Sequence, residues 1–298
     1  MRRILFATDF SSYDTAVFQQ ACKLALAYQA KLIITHVDDA HSSGESDHLA
    51  SQQELSKFIP DDLEIEYQHI LRTGDPTQIM LDLEREYDVD LIVLGTHGRK
   101  GVQRLLSGSV AESIIRSSTC PVATVRQVRP SKNQDESIQN PGLKILVPTD
   151  FSVHSYVALD FASTIAVAID AAITILHVDG STDKSTEKIR EGISSWSQHR
   201  ELLWEQLRKV QPREDGIQVD YQMLNSPATN SIIQFANENN YDYIVLGTHG
   251  RSGVGRALLG SVAEYVVRNA NCPVITVKPN NKPNSDLHHW KMVHHPPN

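Results

Sequence analysis

Short apolar runs alternate with amphipathic stretches along the 298 residues of this chain. The runs ILFAT, KLIITHV, EIEYQHIL, DLIVLG and PVATV, all within the first 125 residues, have the length and composition of strands. After the first run a helix is predicted by apolar residues at 3.6-residue spacing, namely Ala16, Val17, Ala21, Leu24, Ala25 and Tyr28. This alternation of strand and helix periods is typical of an α/β protein with a parallel sheet.

The pattern of strands and helices occurs twice. Four segments recur: ILFATDFS (4–11) as ILVPTDFS (145–152), THVD (35–38) as LHVD (176–179), DLIVLGTHG (90–98) as DYIVLGTHG (242–250), and CPVATV (120–125) as CPVITV (272–277). The offset grows from 141 to 152 residues after the HVD segment, so the second copy has an eleven-residue insertion there. Within this region a longer amphipathic helix is predicted by Ile189, Ile193, Trp196, Leu203, Leu207 and Val210.

We interpret the repeat as two copies of one α/β domain, at residues 1–128 (the first half) and 143–279 (the second half). The polar, proline-containing stretch 129–142 is predicted to be a linker, and the His-rich stretch 280–298 a flexible tail. Five strands with intervening helices predict a doubly wound parallel sheet of flavodoxin-like or Rossmann-like order in each copy. Ligands of such sheets bind at the carboxyl ends of the strands.

Composition narrows the class of protein. The net charge of −8 argues against a general nucleic-acid or anionic-membrane binder. The longest apolar run, 162–178, is interrupted by Asp170 and is short for a membrane span. The N-terminal residues turn polar at Asp9, before a signal peptide would be complete, so we expect a cytoplasmic protein. Three cysteines without a C-x-x-C pair suit a reducing compartment and predict neither a disulfide nor a zinc framework.

A glycine-rich stretch is shared by both halves: GTHGRKGVQRLLSGSVAE (95–112) returns as GTHGRSGVGRALLGSVAE (247–264), with fourteen of eighteen positions identical. It follows the fourth strand and leads into a helix, for which S-V-A-E predicts a capping box. Glycines let backbone N–H groups approach a ligand, and a helix N-terminus favours anions. The loops also contain the basic residues Arg99, Lys100, Arg104, Arg251 and Arg256. The stretch therefore has the parts of a phosphate-binding loop.

Two interpretations of these loops stay open at this level. Glycines after a strand often serve only as turn residues, and a capping box needs no ligand. Retention of the spacing G-x-x-G-x9-G-S in both halves favours a ligand, because many other sequences would make a turn. Neither G-x-x-x-x-G-K-[ST] nor G-x-G-x-x-G occurs in the loops, which disfavours a P-loop NTPase and a dinucleotide-dependent dehydrogenase.

The tandem arrangement, TDFS after the first strand, HVD at the second and G-x-x-G-x9-G-S after the fourth resemble the universal stress protein family in its two-domain form. The resemblance covers nearly the whole chain apart from the linker and the tail. In that family the glycine pattern marks members that bind ATP, so the resemblance implies ATP, accompanied by Mg²⁺, as the ligand. Single-domain members pair through the last strand. The resemblance therefore implies an internal pseudo-dimer through the strands that begin at Pro121 and Pro273, and leaves a homodimer of two chains open.

The resemblance also implies which residues form each site. Asp9 and Asp150 contact the nucleoside or help to hold a metal ion, although capping of the next helix is an alternative role. Val37 and Val178 offer backbone groups to the adenine edge. The implied phosphate-binding residues are Gly95, Gly98, Arg99, Gly108, Ser109 and Val110 in the first half, and Gly247, Gly250, Arg251, Gly260, Ser261 and Val262 in the second.

The two halves depart from the family pattern at different places. The first half has Ala7 where the second has Pro148, the residue more usual in the family. RTGDP (72–76) keeps the glycine usual after the third strand, Gly74, whereas LNSP (224–227) is interpreted as having Asn225 there. Asn tolerates left-handed backbone angles, so we expect the turn to survive. The first site is thus the more secure prediction.

Three functions fit these residues: an ATP-binding stress-response regulator, a slow ATPase or phosphotransferase, and an interaction scaffold with an empty loop. His97 and His249 lie in the glycine-rich loops, but no base with an orienting partner can be named, so no catalytic residue is assigned. We therefore expect ATP to act as a bound signal. His41 and His48 are interpreted as residues of a polar loop, and the tail histidines as part of a flexible extension rather than a metal site.

Overall fold

The structure is a computed structural model that describes residues 1–11, 14–39, 45–96, 109–126, 142–180, 196–250 and 259–279. The strands in these residues are β1 Arg3–Ala7, β2 Lys31–Asp38, β3 Tyr67–Thr73, β4 Leu91–Gly95, β5 Val122–Val125, β6 Lys144–Thr149, β7 Ala172–Asp179, β8 Val219–Asn225, β9 Tyr243–Gly247 and β10 Val274–Val277. The helices are α1 Asp14–Tyr28, α2 Glu45–Leu55, α3 Pro76–Glu86, α4 Ser109–Ser117, α5 Val153–Ile169, α6 Trp196–Arg208, α7 Ala228–Glu238 and α8 Ser261–Asn269.

The strands form one ten-stranded sheet in the order β3-β2-β1-β4-β5-β10-β9-β6-β7-β8. Within each half the strands are parallel. The order in the first half, 3-2-1-4-5, is the Rossmann-like order, which decides between the two sheet orders that the sequence allowed. The chain switches direction across the sheet between β1 and β4, and in the second half between β6 and β9. Clefts at such switch points are where ligands of open α/β sheets bind.

The two halves join through their last strands. β5 and β10 pair antiparallel, with Ile275 opposite Ala123. The pairing expected of these two strands is therefore confirmed. The Thr124 hydroxyl donates to the carbonyl of Val274 at 3.1 Å, which adds a side-chain hydrogen bond to the buried ladder. Because each edge strand is covered by the other, neither presents unpaired backbone groups at this seam.

Helices cover both faces of the sheet. Apolar side chains of α1, α2, α5 and α6 pack on one face, in a cluster that includes Leu24, Leu55, Leu159 and Leu207. Those of α3, α4, α7 and α8 pack on the other, with Met80, Ile114, Ile232 and Val266. Each cluster contains residues of both halves, so the core is continuous across the seam. Burial of one such leucine contributes roughly 2 kcal/mol before entropic costs.

Several elements differ from the prediction. β3 begins at Tyr67, the last residue of EIEY, rather than at Glu64, because its pairing with β2 starts at Leu32 and Tyr67. The helix predicted in the insertion is present as α6, while Ile189 and Ile193 lie outside the described residues. The helix α2 was not predicted. Its charged sequence, ESDHLASQQEL, lacks a clear apolar stripe, and it places His48 on a helix rather than in a loop.

Two findings bear on the protein class. None of the helices in the described part of the chain is long and apolar enough to cross a membrane. Cys22, Cys120 and Cys272 are free thiols. Burial raises the pKa of the Cys120 and Cys272 thiols to about 12. These two cysteines therefore act as small packed side chains rather than as reactive thiolates at neutral pH.

Candidate functional site

Asp9 and Asp150 lie at equivalent turns after β1 and β6, at the carboxyl edge of the sheet. Each accepts a hydrogen bond at Oδ1 from the backbone N–H two residues later, from Ser11 and Ser152 respectively, at 3.1 Å. The N-cap of α5 is Ser152, whose side chain accepts the N–H of Ser155. The alternative role of Asp150 as the cap of this helix is therefore wrong, since Asp150 lies two residues before the N-cap.

A second carboxylate supports the turn in the first half alone. The buried Asp14 accepts hydrogen bonds from the Thr8 hydroxyl, from the backbone of Asp9 and from Ser11. In the second half Ser155 takes its place and contacts the equivalent threonine at 3.0 Å. Burial raises the pKa of Asp14, and the nearby Asp9 acts in the same direction. The first turn therefore holds two carboxylates where the second holds one.

Buried histidines hold the second strand of each half against the first. The Nδ1 atom of His36 lies 2.7 Å from the carbonyl oxygen of Thr8, and the His177–Thr149 pair repeats this contact at 2.8 Å. The ring of Phe10, a residue with left-handed backbone angles (φ 59°), packs on the His36 ring with centroids 4.0 Å apart. These contacts fix the direction of the chain on both sides of Asp9, the residue predicted to contact the nucleoside.

Val37 and Val178 occupy the ends of β2 and β7, next to the switch points. β1 pairs with β2 only as far as Ala7 and Thr35, so the first strand ends before it reaches Val37. In the second half the pairing of β6 with β7 ends at His177, one residue before Val178. The backbone of each valine thus faces the cleft beyond the end of the neighbouring strand, where the predicted contact to an adenine edge would lie.

An aspartate–histidine pair ties the next helix to each of these strand ends. In the first half Oδ2 of Asp38 lies 3.1 Å from Nδ1 of His48 on α2, and the Ser51 hydroxyl donates to Oδ1 at 2.6 Å. In the second half Oδ2 of Asp179 lies 3.2 Å from Nε2 of His199 on α6. The interpretation of His48 as a residue of a polar loop is therefore wrong.

The glycines at the end of β9 have two different roles. A Cβ atom on Gly247 would lie 2.7–2.8 Å from the Cβ, C and O atoms of His154, so this glycine lets α5 approach the strand. A Cβ atom on Gly250 would lie 2.7 Å from Oδ2 of Asp150. The structure thus brings two predicted site residues, Gly250 and Asp150, into contact. Gly95 ends β4 at the position that matches Gly247.

Gly260 closes the glycine-rich loop of the second half at its neck. Its N–H donates to the carbonyl of Thr248 at 2.8 Å, and a Cβ atom at Gly260 would approach that oxygen to 3.1 Å. Gly260 is also the N-cap of α8, and it provides no side-chain cap. The predicted capping box at Ser261 is therefore wrong, because Ser261 is already the first helical residue. The N-terminus of α8 is left without a side chain of its own at the cap.

The first half repeats this helix start where it is described. α4 begins at Ser109, the residue equivalent to Ser261. Val110 and Val262 follow and pack, partly buried, against the apolar cluster on that face of the sheet. Both helices therefore direct their N-termini to the carboxyl edge. The predicted residues Gly98, Arg99, Gly108 and Arg251, with His97, Lys100, Arg104 and Arg256, lie outside the described residues.

The turns after the third strands have the same length but differ in the residue that follows the strand. Gly74 has φ 149°, and its N–H donates to the carbonyl of Asp38 at 3.0 Å. The equivalent hydrogen bond in the second half comes from Ser226, to the carbonyl of Asp179 at 3.2 Å. Asn225 is the last residue of β8, so its assignment to the glycine position is wrong. The second turn has the same length, with Ser226 in the place of Gly74, and it needs no left-handed residue there.

Several residues of this cleft were not identified from the sequence. They are Asp14, His36, His154 and the Asp38 and Asp179 pairs. The repeated HVD segment was a usable signal for His36, because a buried polar side chain kept in both halves needs a hydrogen-bond partner. His154 has no such signal, since the matching position in the first half is Tyr13. In the described residues no group of three or more His, Cys, Asp and Glu side chains is arranged to hold a metal ion.

Comparison with known proteins gives consistent matches. The chain matches the model of the Universal stress protein family twice, at residues 1–126 and 143–278. A universal stress protein of Methanocaldococcus jannaschii is 40% identical over 141 residues, which cover 45% of this chain and 81% of that protein. A universal stress protein of Mycobacterium tuberculosis is 29% identical over 223 residues, 72% of this chain and 70% of its own.

The fold is likewise similar to solved structures. The crystal structure of a universal stress protein from Archaeoglobus fulgidus superposes with a TM-score of 0.63 at 20% identity, and covers 94% of this chain and 97% of that one. This likeness extends across both halves and so concerns the complete ten-stranded arrangement. With two matches to the family model, the repeated site geometry and the shared fold, the chain belongs to the universal stress protein family, as a member with two family domains in tandem.

Proposed function

We propose that each half of this protein binds ATP at the carboxyl edge of its part of the sheet, and that the bound nucleotide regulates a response to stress. The observation that supports the proposal best is the close approach of Gly250 to the carboxylate of Asp150. A Cβ atom on Gly250 would lie 2.7 Å from Oδ2 of Asp150. This contact joins the turn after the first strand of the half to the loop after its fourth strand. A nucleoside end and a phosphate end of one ligand can then be held across a single cleft.

The proposed roles follow the positions of the residues. Asp9 and Asp150 contact the nucleoside, and the backbone of Val37 and Val178 contacts the adenine edge. The phosphates lie at the N-termini of α4 and α8, which favour anions. The glycine spacing that resembles ATP-binding members of the family is present in both halves. Gly98, Arg99, Gly108 and Arg251 are proposed phosphate contacts from that spacing alone.

The proposal extends to the state of the ligand and of the protein. Mg²⁺ enters as the ion that accompanies ATP. The protein acts in the cytoplasm without a nucleic-acid or membrane partner, consistent with the net charge of −8. The domains are proposed to run from 1 to 128 and from 143 to 279, with a linker at 129–142 and a flexible tail at 280–298. A homodimer of two chains remains a further proposal.

The test uses the complete chain, purified without added nucleotide. The protein is denatured, the released ligand is identified by chromatography and mass spectrometry, and binding is measured by calorimetry. The same measurements follow for Gly108→Val, Gly260→Val and the double variant. We expect ATP bound at two sites per chain, one site in each single variant and none in the double variant. A valine at Gly260 fills the space beside the Thr248 carbonyl and so blocks the loop neck.

Gly180→Val is the matched control, because a Cβ atom there has no other atom within 4 Å. It should bind two equivalents, as the unaltered chain does. Absence of any adenine nucleotide after denaturation, together with no binding by calorimetry, would contradict the proposal and favour the scaffold. Steady formation of ADP from ATP and Mg²⁺, lost in the double variant, would instead assign slow hydrolysis.

A further inference from the structure

The loop that leaves β9 contains a histidine whose surroundings the proposed ATP site does not explain. His249 lies between Thr248 and Gly250, at the neck closed by Gly260. Its Cα atom is 3.5 Å from the position that a Cβ on Gly260 would take. Its Nδ1 atom lies 3.0 Å from the Thr248 hydroxyl oxygen. The ring is thus fixed on one side, at the start of the helix that faces the proposed phosphates.

The other ring nitrogen of His249 is unsatisfied. Its Nε2 atom is buried and has no hydrogen-bond partner among the residues that the structure describes. Buried polar atoms without a partner are rare, and each one calls for an explanation such as a ligand that supplies the missing partner. An oxygen of an anionic ligand suits an imidazole N–H, since hydrogen bonds to charged acceptors are the stronger ones.

His154, the second residue of α5, packs against His249. The two ring centroids are 5.3 Å apart at an interplanar angle of 48°. Burial lowers the pKa of His154, His249 lowers it further, and the carboxylate of Asp150 acts in the opposite direction. Among the described residues, His249 and Asp150 are the charged or titratable groups that act on the pKa of His154. An arriving anion places negative charge beside this pair, and nearby negative charge favours the protonated form of a histidine.

We propose that His249 donates from Nε2 to a phosphate oxygen of the nucleotide in the second half, and that His154 positions it, so that this site selects phosphorylated ligands and takes up a proton when it binds them. The inference rests on the proposed function, because it assigns a residue to the phosphate end of that site. It is specific to the second half, where His154 stands at the position occupied by Tyr13 in the first.

The test isolates the second site in full-length Gly108→Val protein. Calorimetry gives the affinities for ATP and for adenosine at pH 6 and pH 8, with His249 unaltered or replaced. His249→Asn retains an amide near Nδ1 but nothing near Nε2, whereas His249→Gln reaches the Nε2 position with a neutral donor. We expect Asn to lower ATP affinity about tenfold, the effect of losing one hydrogen bond to a charged group, and to leave adenosine affinity unchanged.

The pH dependence provides the second measurement. A histidine that gains a proton on binding makes affinity higher at low pH and lower as the pH rises through the pKa of the bound state. The unaltered site should therefore lose more ATP affinity between pH 6 and pH 8 than the site with His249→Gln. At pH 8 the ATP affinity of His249→Gln should lie within a few-fold of that of the unaltered site. Titration of ATP itself cancels in this comparison, because both proteins meet the same ligand. His154→Phe keeps the ring contact and should reduce the pH dependence.

The exposed His69 on β3 offers a matched control, and His69→Gln should change neither affinity nor its pH dependence. Equal ATP affinity and equal pH dependence in the His249 variants would overturn this inference alone. Absence of nucleotide binding in the unaltered chain would overturn the proposed function as well. Circular dichroism checks the fold of each variant, and should His249→Asn fail to fold, the Gln and Phe variants still decide the question.

Discussion

The guanidinium of Arg126 donates a hydrogen bond at 3.0 Å to the carbonyl oxygen of Arg268, at the end of α8 in the other half of the chain. The reciprocal contact runs from Lys278, whose ammonium group donates to the carbonyls of Arg116 and Ser118 at the end of α4. Each half thus places a cation, one residue after its last strand, on the C-terminus of the other half's last helix. Cations are favoured there by the helix dipole and by the unpaired carbonyl groups.

Removal of this reciprocal cap should weaken the joint between the halves. Lys278→Met keeps the length of the aliphatic stem and removes the charge, and with Arg126→Met it should lower the free energy of unfolding by about 1–3 kcal/mol. Urea denaturation followed by circular dichroism measures this. Lys57→Met is the matched control, since Lys57 makes an exposed i,i+3 pair with Glu54 and should change stability by about 0.5 kcal/mol or less. Equal effects of Lys57→Met and Lys278→Met would argue against the cap.

Gly247 and Gly250 should respond differently to alanine. At Gly247 the new methyl group meets the backbone of His154, which cannot move without shifting α5, so we expect a loss of about 1–3 kcal/mol in stability. At Gly250 it meets only the end of the Asp150 side chain, so stability should stay nearly unchanged while nucleotide affinity falls. Thermal denaturation and calorimetry separate the two effects. Gly180→Ala serves as control, and a binding loss without destabilisation in Gly247→Ala would contradict this division.

Asp14 should make the first half sensitive to pH. Its pKa in the folded protein is raised by burial, so the folded state binds this proton more tightly than the unfolded chain, where an aspartate titrates near 3.9. Its contribution to stability is then fully present below about pH 3.9 and is lost as the pH rises through the raised pKa. Relative to Asp14→Ser, which copies the second half, the unaltered chain should lose stability from pH 3.5 to pH 7.

Urea denaturation of both proteins across that range measures the difference, in which carboxylates remote from Asp14 cancel. A difference that grows in favour of the unaltered chain as the pH rises would show that the hydrogen bonds from Thr8 and Ser11 outweigh the cost of burying the charge.

Asp38 should hold α2 in place through His48 and Ser51. Asp38→Asn keeps the shape of the side chain but removes its charge, which weakens both contacts. We expect amides of residues 45–55 to exchange with deuterium about tenfold faster, which corresponds to about 1.4 kcal/mol of local stability. Mass spectrometry of peptides from this segment measures the rates. Asp47→Asn, an exposed position on the same helix, is the control, and equal rates in the two variants would contradict the proposed anchor.

Much of this fold was predictable because the hydrophobic periodicity of single elements and the internal sequence repeat both specify it. Strands β1, β2 and β4 were evident from apolar runs that are buried on both faces of the sheet, and α1 from its 3.6-residue spacing. The repeat of DLIVLGTHG as DYIVLGTHG placed the same strand and loop in both halves. Helix α2 was not predicted, because its polar sequence has little hydrophobic periodicity. The helix packs mainly through its last residue, the buried Leu55.

Predictions for the site succeeded where a residue's position in the chain fixes its position in the fold. Asp9 and Asp150 follow strand ends, and the carboxyl ends of parallel strands meet at one edge of the sheet. The N-cap of α8 was misplaced by one residue, and so was the residue that replaces Gly74. Turns are specified by backbone angles and hydrogen bonds, which a shift of one position along the sequence does not reveal.

The sequence by itself determined that two copies of one α/β domain are joined in this chain, and that each copy has a glycine-rich loop between a buried strand and a helix. Only the tertiary structure decided the Rossmann-like strand order, the contact of Gly250 with Asp150, the pairing of His154 with His249 and the exchange of caps by Arg126 and Lys278. The reason is physical: spacing along the chain governs local hydrogen bonding and amphipathic burial, whereas contacts between distant residues depend on strand register and on how the helices pack.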